Sequence, residues 1–109
     1  MPRQARVKHP YGLYHVFQRS SDEREIFRHE SDRQAFWQVL TEASERFSIR
    51  LLGYCLLDPT SYHILIKLDR CDISSLMKSI NISFMRTIGA SAGLFRDRFQ
   101  SELIESRSD

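Results

Sequence analysis

The chain has 109 residues, 41% of them hydrophobic and 11% aromatic, so it can bury one compact core and is too short for two domains with separate cores. The formal net charge is only +2, yet thirteen of the sixteen basic residues are arginine, whose planar guanidinium suits contacts with phosphate groups. No uncharged apolar run approaches the roughly 18 residues of a membrane helix, and the N-terminus lacks the apolar stretch of a signal peptide, so we expect a single cytoplasmic domain over residues 1–109 without a membrane partner.

The first twenty residues predict a basic arm followed by a strand. Three basic residues and no acidic residue fall within residues 1–9, which is typical of a short basic arm. These basic residues are Arg3, Arg6 and Lys8. Residues 12–18 then carry apolar and aromatic side chains at the density of a strand, bounded by Pro10 and by polar residues from Ser20 onward.

A helix is predicted after a polar loop over residues 19–28. Ser31 and Gln34 have the spacing of a capping box, in which each side chain satisfies a free backbone amide of the other residue. We therefore expect a helix from Ser31 to about Arg46. Its apolar face consists of Phe36, Leu40, Ala43 and Phe47, at spacings of four, three and four.

Two strands joined by a turn follow, and they predict a β-hairpin. Residues 49–57 are nearly continuous in apolar character, and residues 58–61 have the composition of a turn. Residues 62–68 alternate strictly, which places His63 and Lys67 on one face of the strand. The opposite face carries Tyr62, Ile64, Ile66 and Leu68.

A second helix and a final strand complete the pattern. Asp72 can cap a helix whose apolar residues recur at helical spacing until Gly89. Basic and aromatic residues between positions 94 and 104 predict a last strand or an extended arm. This order of elements indicates an α+β, ferredoxin-like split β-α-β domain, an antiparallel sheet with two helices on one face. Many unrelated functions use this fold, so it does not decide among them.

The two cysteines, Cys55 and Cys71, indicate neither a zinc site nor a disulfide framework. They lie sixteen positions apart, without a C-x-x-C motif or a neighbouring pair of histidines. This favours a reducing, cytoplasmic setting.

Several segments together resemble the REP-associated and insertion-sequence tyrosine transposases of the HUH class. Residues 14–19, Tyr-His-Val-Phe-Gln-Arg, are similar to that family's first strand, which commonly reads Y-H-V and ends near R-G; here Ser20 replaces the glycine. Residues 93–101, Gly-Leu-Phe-Arg-Asp-Arg-Phe-Gln-Ser, are similar to the family's G-x-L-F-Q-x-R-[FY]-K-S segment and are the most specific match. The resemblance spans nearly the whole chain and implies a DNA-binding domain.

The family's metal motif, L-M-P-N-H-x-H-x-L, aligns with residues 57–65. In the family, two histidines one residue apart on a strand hold a divalent ion against the scissile phosphate. Here Ser61 replaces the first histidine and His63 retains the second. A hydroxyl is a poor substitute for imidazole, so the resemblance implies that His63 is a remnant ligand, that Mg²⁺ or Mn²⁺ binding is weak, and that no cofactor is required.

The resemblance also concerns the nucleophile. Family members attack the phosphate with a tyrosine on a helix that follows the F-K-S strand, a position that would lie beyond Asp109. None of the four tyrosines aligns with that nucleophile; they are Tyr11, Tyr14, Tyr54 and Tyr62. We therefore predict no catalytic residue in this sequence and defective metal-dependent strand cleavage.

Binding of single-stranded or hairpin DNA is the remaining expectation. Phosphate binding needs several positive groups on one face more than any fixed motif. The predicted DNA-binding residues are Arg3, Arg6, Lys8, Arg19, Lys67, Arg96 and Arg98. The structural alternative for Arg96 and Arg98 is that they form surface ion pairs with Asp97, Glu102 or Glu105. We interpret His15 as structural. Phe95 and Phe99 are candidates for stacking on an unpaired base, and we expect at least one of them to be buried under the sheet instead.

Three functions stay open. The first is a transposase-family DNA-binding domain that is defective in cleavage, and the second is a domesticated regulator or protein-interaction module that has lost affinity for DNA. The third is the N-terminal part of an active DNA-nicking transposase. A homodimer is compatible with each of them.

Overall fold

The computed structural model describes residues 9–21, 24–56, 59–90, 93–95 and 98–105. Its elements follow the predicted order: β1 (Leu13–Arg19), α1 (Glu30–Arg46), β2 (Ile49–Cys55), β3 (Ser61–Leu68), α2 (Ile73–Ile88) and β4 (Gln100–Glu105). The strands pair in antiparallel fashion into one sheet with the order β2-β3-β1-β4. The predicted α+β, split β-α-β architecture is therefore confirmed.

The two central strands, β1 and β3, bury one face of the sheet. Tyr14 and Val16 of β1 are at most 1% exposed. The prediction that Tyr62, Ile64, Ile66 and Leu68 share one face of β3 is confirmed, and this face is buried, since each of these residues is likewise at most 1% exposed. These side chains share one core with apolar residues of both helices, so α1 and α2 lie on the same side of the sheet. The opposite side, which faces away from both helices, is the outer face.

Helix α2 begins and ends as the sequence predicts. The carboxylate of Asp72 accepts hydrogen bonds from the backbone amide of Ser75 at 3.3 Å and from its hydroxyl at 2.8 Å. Gly89 ends the helix in the left-handed conformation, with φ of 69°, which glycine adopts without a steric penalty. Neither described helix combines the length and hydropathy that a membrane crossing demands.

Helix α1 begins differently from the prediction. Its cap is His29, and Ser31 lies inside the helix. The buried carboxylate of Asp32 accepts hydrogen bonds from the backbone amides of Arg28 at 3.0 Å and His29 at 3.3 Å. The predicted cap at Ser31 is wrong because a carboxylate that accepts two amides stabilises the helix start more strongly than a hydroxyl does.

The predicted last strand is also shorter than expected, because β4 begins only at Gln100. Leu94, at the start of the predicted segment, is buried, and its carbonyl accepts a hydrogen bond from the amide of Ser21 at 2.8 Å. This bond ties Leu94 to the loop after β1. Similarly, β2 ends at Cys55, and Leu57 lies outside the described residues.

Candidate nucleic-acid interface

The position of the metal motif lies where β1 ends and β3 begins. Arg19 pairs with Ser61 and Phe17 with His63 across these strands. Because side chains of paired residues point to the same side of a sheet, all four positions belong to the outer face. The alternation that places His63 opposite the core is therefore confirmed.

The loop after β1 holds the turn that precedes β3. The amide of Ser20 donates to the carbonyl of Thr60 at 2.9 Å, and the amide of Ile26 donates to the carbonyl of Pro59 at 2.6 Å. Ser20 is buried, and its hydroxyl donates to the carbonyl of Arg24. The serine that replaces the family's glycine thus joins the first residue of this loop to Arg24, four positions later.

His63 contacts a second histidine, His15, on the outer face. Nε2 of His15 lies 2.9 Å from Nδ1 of His63, and the ring planes differ by only 12°. This N···N distance is shorter than the roughly 3.5 Å between atoms of stacked rings, so the rings lie nearly in one plane and share a hydrogen bond. Burial, and then the neighbouring His15, lowers the pKa of His63, which keeps it neutral at pH 7.

This pair limits how the site can hold a divalent metal. Nδ1 of His63 is hydrogen-bonded to His15, so Nε2 of His63 is the ring nitrogen that could bind a metal ion. Ser61 is 7% exposed and offers a neutral hydroxyl. Nowhere in the described parts of the chain do three or more His, Cys, Asp or Glu side chains come together in a way that could hold a metal ion. These donors fit a weak site with open positions, and the ligand role of His63 stays a prediction.

Two further outer-face residues extend the histidine pair towards the end of β1. The ring centroid of Phe17 lies 4.6 Å from that of His63, and the guanidinium of Arg19 lies 5.3 Å from the Phe17 centroid. Arg19 is exposed. The outer face therefore carries a row of π surfaces that ends in a cation, a combination that suits contact with bases and phosphates.

The structure describes three of the predicted DNA-binding residues, and it places two of them, Arg19 and Lys67, at opposite ends of the outer face. Arg19 is at the end of β1, and exposed Arg98 lies two positions before β4, whose first residue Gln100 pairs with Phe17 near the same end. Lys67 lies six strand residues from that end, about 20 Å away, and its ammonium donates to the carbonyl of Tyr11. The predicted residues Arg3, Arg6, Lys8 and Arg96 lie outside the described residues.

Sequence reasoning missed outer-face residues whose roles depend on strand pairing. Exposed Arg50 of β2 pairs with Lys67, and so adds a cation at that end. His15 meets His63 across 48 positions of sequence, so no local pattern links the two residues. Only the register between β1 and β3 would have brought them together.

Two of the four tyrosines are buried on the core side. Tyr62 is 0% exposed, its hydroxyl donates to Oδ1 of Asn81 at 2.6 Å, and burial raises its pKa far above the usual value. Tyr14 is also buried, and its hydroxyl accepts a hydrogen bond from the amide of His9 at 2.8 Å. Neither hydroxyl can therefore reach a phosphate at His63.

The other two tyrosines lie away from His63. Tyr54 points to the helix side of the sheet, where its ring stacks on Trp37 with centroids 5.4 Å apart. The hydroxyl of Tyr11 accepts a hydrogen bond from Nε of Arg70 at 2.8 Å, near the Lys67 end of the sheet. None of these four residues is placed as a nucleophile.

The aromatic residues near β4 pack against the core. Phe95 meets Tyr62 edge to face, with centroids 6.1 Å apart, and Phe99 is partly buried against the same core. The structure describes no ion pair between Arg98 and Glu102, which are both exposed. Phe17, which the sequence interpretation did not consider for stacking, is the phenylalanine on the outer face.

Comparisons with known proteins agree with this architecture. Residues 10–103 match the model of one family, described as IS200-like transposases. No curated protein matches the chain significantly.

Two solved structures have the same fold. One is a REP-associated tyrosine transposase bound to a REP hairpin, with a TM-score of 0.82 and 16% identity, and the similarity covers 98% of this chain and 64% of that one. The other is a Deinococcus radiodurans R1 protein assigned as a transposase, with a TM-score of 0.66 and 12% identity, covering 96% of this chain and 85% of that one. The chain thus spans less than two thirds of the REP-associated transposase. Because the family model matches most of the residues of this chain, the chain belongs to the IS200-like transposase family.

Proposed function

We propose that this domain binds single-stranded or hairpin DNA on the outer face of its sheet, and that its metal-dependent strand cleavage is weak or absent. The observation that carries the proposal is the outer face itself, where the His15–His63 pair adjoins Phe17 and Arg19. Membership of a transposase family supports it, as does the hairpin bound to the REP-associated transposase of the same fold.

The distribution of charge on the outer face suits a nucleic-acid strand. Arg19 lies at one end, with Arg98 in the segment that leads into β4 near that end, and Arg50 and Lys67 lie at the other end. Phosphates bound at the two ends would place the intervening bases over the histidine pair and Phe17. Phosphate contacts of this kind position a strand without reading its sequence.

The donors at the motif support weak cleavage. Ser61 is neutral, and Nδ1 of His63 is hydrogen-bonded to His15. A bound Mg²⁺ or Mn²⁺ would polarise the scissile phosphate, and Nε2 of His63 is the nitrogen that this strand would offer to it. We infer that such an ion binds weakly.

The binding half of the proposal is tested with a hairpin that carries a single-stranded flank. Arg19→Gln and Arg98→Gln should each weaken binding to any sequence and reduce the slope of log affinity against log salt by about one unit. Arg86→Gln is the matched control, because Arg86 is exposed on α2, on the helix side. Equal affinities for all three variants would argue against binding through the outer face.

The cleavage half is tested on denaturing gels, with and without Mn²⁺. We expect retained but intact DNA and no covalent adduct. A nicked strand or a phosphotyrosine adduct would instead support the active-transposase alternative.

A protein-interaction module is the second candidate, and the edge of the sheet favours it. Trp37 and Tyr54 form a stacked pair that is 48% and 42% exposed, and Leu52 of the edge strand β2 is 52% exposed. Exposed apolar side chains beside an unpaired strand edge are common at sites of protein association. The homodimer, which stays a prediction, would use such a surface, and light scattering of the DNA-free protein distinguishes monomer from dimer.

A further inference from the structure

A cleft of about 480 Å³ lies between the segment before β1 and the turn that joins β3 to α2. One wall consists of residues 9–11, and the other consists of residues 70–73. None of these residues belongs to a strand, so the cleft is separate from the outer face. Its volume is in the range of pockets that bind small molecules.

Backbone hydrogen bonds join the two sides of the cleft. The amide of Cys71 donates to the carbonyl of Pro10 at 3.2 Å. The amide of Leu68 donates to the carbonyl of Gly12 at 2.9 Å, and the amide of Gly12 donates to the carbonyl of His9 at 2.9 Å. The cleft is therefore formed by hydrogen-bonded backbone on both sides, as is usual for small-molecule sites.

Arg70 of the second wall has a backbone conformation that favours glycine. Among the residues that the structure describes, Arg70 is the only one other than glycine with a positive φ, of 58°. Arginine carries a steric cost in this conformation that glycine does not. Arg70 is exposed, so burial of its side chain does not offset this cost. Such an outlier is typical of a position whose side chain has a function.

The guanidinium of Arg70 is positioned by Tyr11 of the first wall. Nε of Arg70 donates to the hydroxyl of Tyr11 at 2.8 Å. This bond uses the Nε donor, and the two Nη nitrogens form a planar fork of further donors. The parallel N–H groups of such a fork match the two oxygens of a carboxylate. Arg70 therefore offers a carboxylate-binding group at the wall of the cleft.

The neighbouring residues favour a ligand with one negative charge and an apolar body. Asp69 precedes Arg70 in the chain, and Asp72 lines the cleft. Two carboxylates near one guanidinium oppose a ligand with two negative charges, such as a phosphate monoester. Exposed Pro10 and the ring of Tyr11 offer apolar surface to the remainder of the ligand.

We propose that this cleft binds a small ligand that combines one carboxylate with a flat apolar body. The Nη nitrogens of Arg70 bind the carboxylate, and Pro10 and Tyr11 contact the apolar body. This inference goes beyond the proposed DNA binding and does not depend on it, because the cleft and the outer face are formed by different residues.

Phenylacetate is the probe that tests the inference, and phenylacetamide, which has the same shape without the charge, is the matched control ligand. In NMR titrations we expect phenylacetate to shift the Nε–H resonance of Arg70 in a saturable manner. A dissociation constant on the order of 1 mM is expected for so small a molecule. Phenylacetamide should bind at least tenfold more weakly, because it cannot form the charged pair with the guanidinium.

Arg70→Gly separates binding from stability. Glycine adopts the left-handed conformation without a steric cost, so this variant should unfold at the wild-type temperature or above it. It should bind phenylacetate at least tenfold more weakly, as followed by the backbone amide resonance of Cys71. Tyr11→Phe keeps the ring but not the hydroxyl that positions Arg70, and should weaken binding severalfold. Lys78→Gln is the control, because Lys78 is exposed on α2 outside the cleft.

The outcomes distinguish this inference from the proposed function. The inference is overturned if the wild-type protein does not bind phenylacetate, if both ligands bind alike, or if Arg70→Gly binds phenylacetate as tightly as the wild-type protein. If a saturating DNA hairpin displaces phenylacetate, the cleft belongs to the DNA interface, and the inference fails while the proposed function stands. If the domain binds phenylacetate through Arg70 but binds no DNA at low salt, the proposed function fails and this inference stands.

Discussion

Burial, and then the neighbouring His15, lowers the pKa of His63, and this lowered pKa makes the stability of the domain depend on pH. Because the pKa of His63 is lowered in the folded protein, the unfolded chain takes up a proton more readily. The stability that this histidine contributes is therefore present above its ordinary pKa of about 6.5 and is lost as the pH falls through the lower folded value. Glu102 pairs with His15 and Cys55 pairs with His63, so these two groups also face the pair.

Replacing His63 should remove part of this pH dependence. We expect the free energy of unfolding, measured by urea denaturation, to fall less between pH 7 and pH 5 in His63→Gln than in the wild-type protein. His29→Asn is the control, since asparagine can cap α1 in place of this exposed histidine. If the free energy of unfolding changes with pH as much in His63→Gln as in the wild-type protein, His63 has the same pKa in the folded and unfolded states.

The serine at the metal motif makes a second prediction at this scale. Ser61 and His63 lie on the same face of β3, one residue apart, which is the spacing that lets two imidazoles share one ion. Ser61→His should therefore raise the affinity for Co²⁺ or Mn²⁺ about tenfold or more, as measured by calorimetry. Ser61→Ala should leave the affinity unchanged. Equal affinities in the wild-type and Ser61→His proteins would show that the serine is not what limits metal binding.

Among the secondary-structure elements, a hydrogen-bond network fixes α2 against the ends of β1 and β3. Asn81 of α2 accepts from the hydroxyl of Tyr62 at 2.6 Å and donates to Oε1 of Gln18 at 3.1 Å. Tyr62 and Gln18 are at most 1% exposed. The network therefore holds the strand ends that carry Arg19 and Ser61, although none of its members faces the outer side.

Asn81→Ala should destabilise the domain by about 2 kcal/mol, because two buried polar groups lose this partner. The measurement is urea or thermal denaturation. Ile82→Ala, at the next position of α2 and 40% exposed, should cost less than about 1 kcal/mol. A similar loss in both variants would show that the network contributes little beyond packing.

The same elements show which features the sequence could predict. Alternation along β3 predicted which of its side chains share one face, and the local cap at Asp72 predicted the start of α2, because both patterns depend only on neighbours in sequence. The cap of α1 was missed because Asp32 bonds two amides on the N-terminal side of Ser31. Tyr62 occupies a motif position, and its hydrogen bond to Asn81 of α2 joins residues 19 positions apart, which local spacing does not predict.

The candidate site was predicted less completely than the fold. The resemblance drew attention to Ser61 and His63, and both lie on the outer face. The partner of His63 and the arginine beside Lys67 both depend on which strands pair and in which register. Such long-range register has no counterpart in local spacing or composition.

In the whole molecule, the two faces of the sheet have different roles. The inner face buries the core between the sheet and both helices, and the outer face carries the histidine pair, Phe17 and cations at either end. Changes on the outer face should therefore affect DNA binding more than stability. This division makes the outer face testable without unfolding the protein.

The salt dependence of binding to a hairpin with a single-stranded flank is the measurement that tests the central claim most directly. A fluorescence anisotropy titration at several salt concentrations should give tight binding at low salt and a log–log slope that corresponds to several released counterions. An absence of binding at low salt, or an affinity that does not change with salt, would contradict the claim that this domain binds DNA through the cations of its outer face.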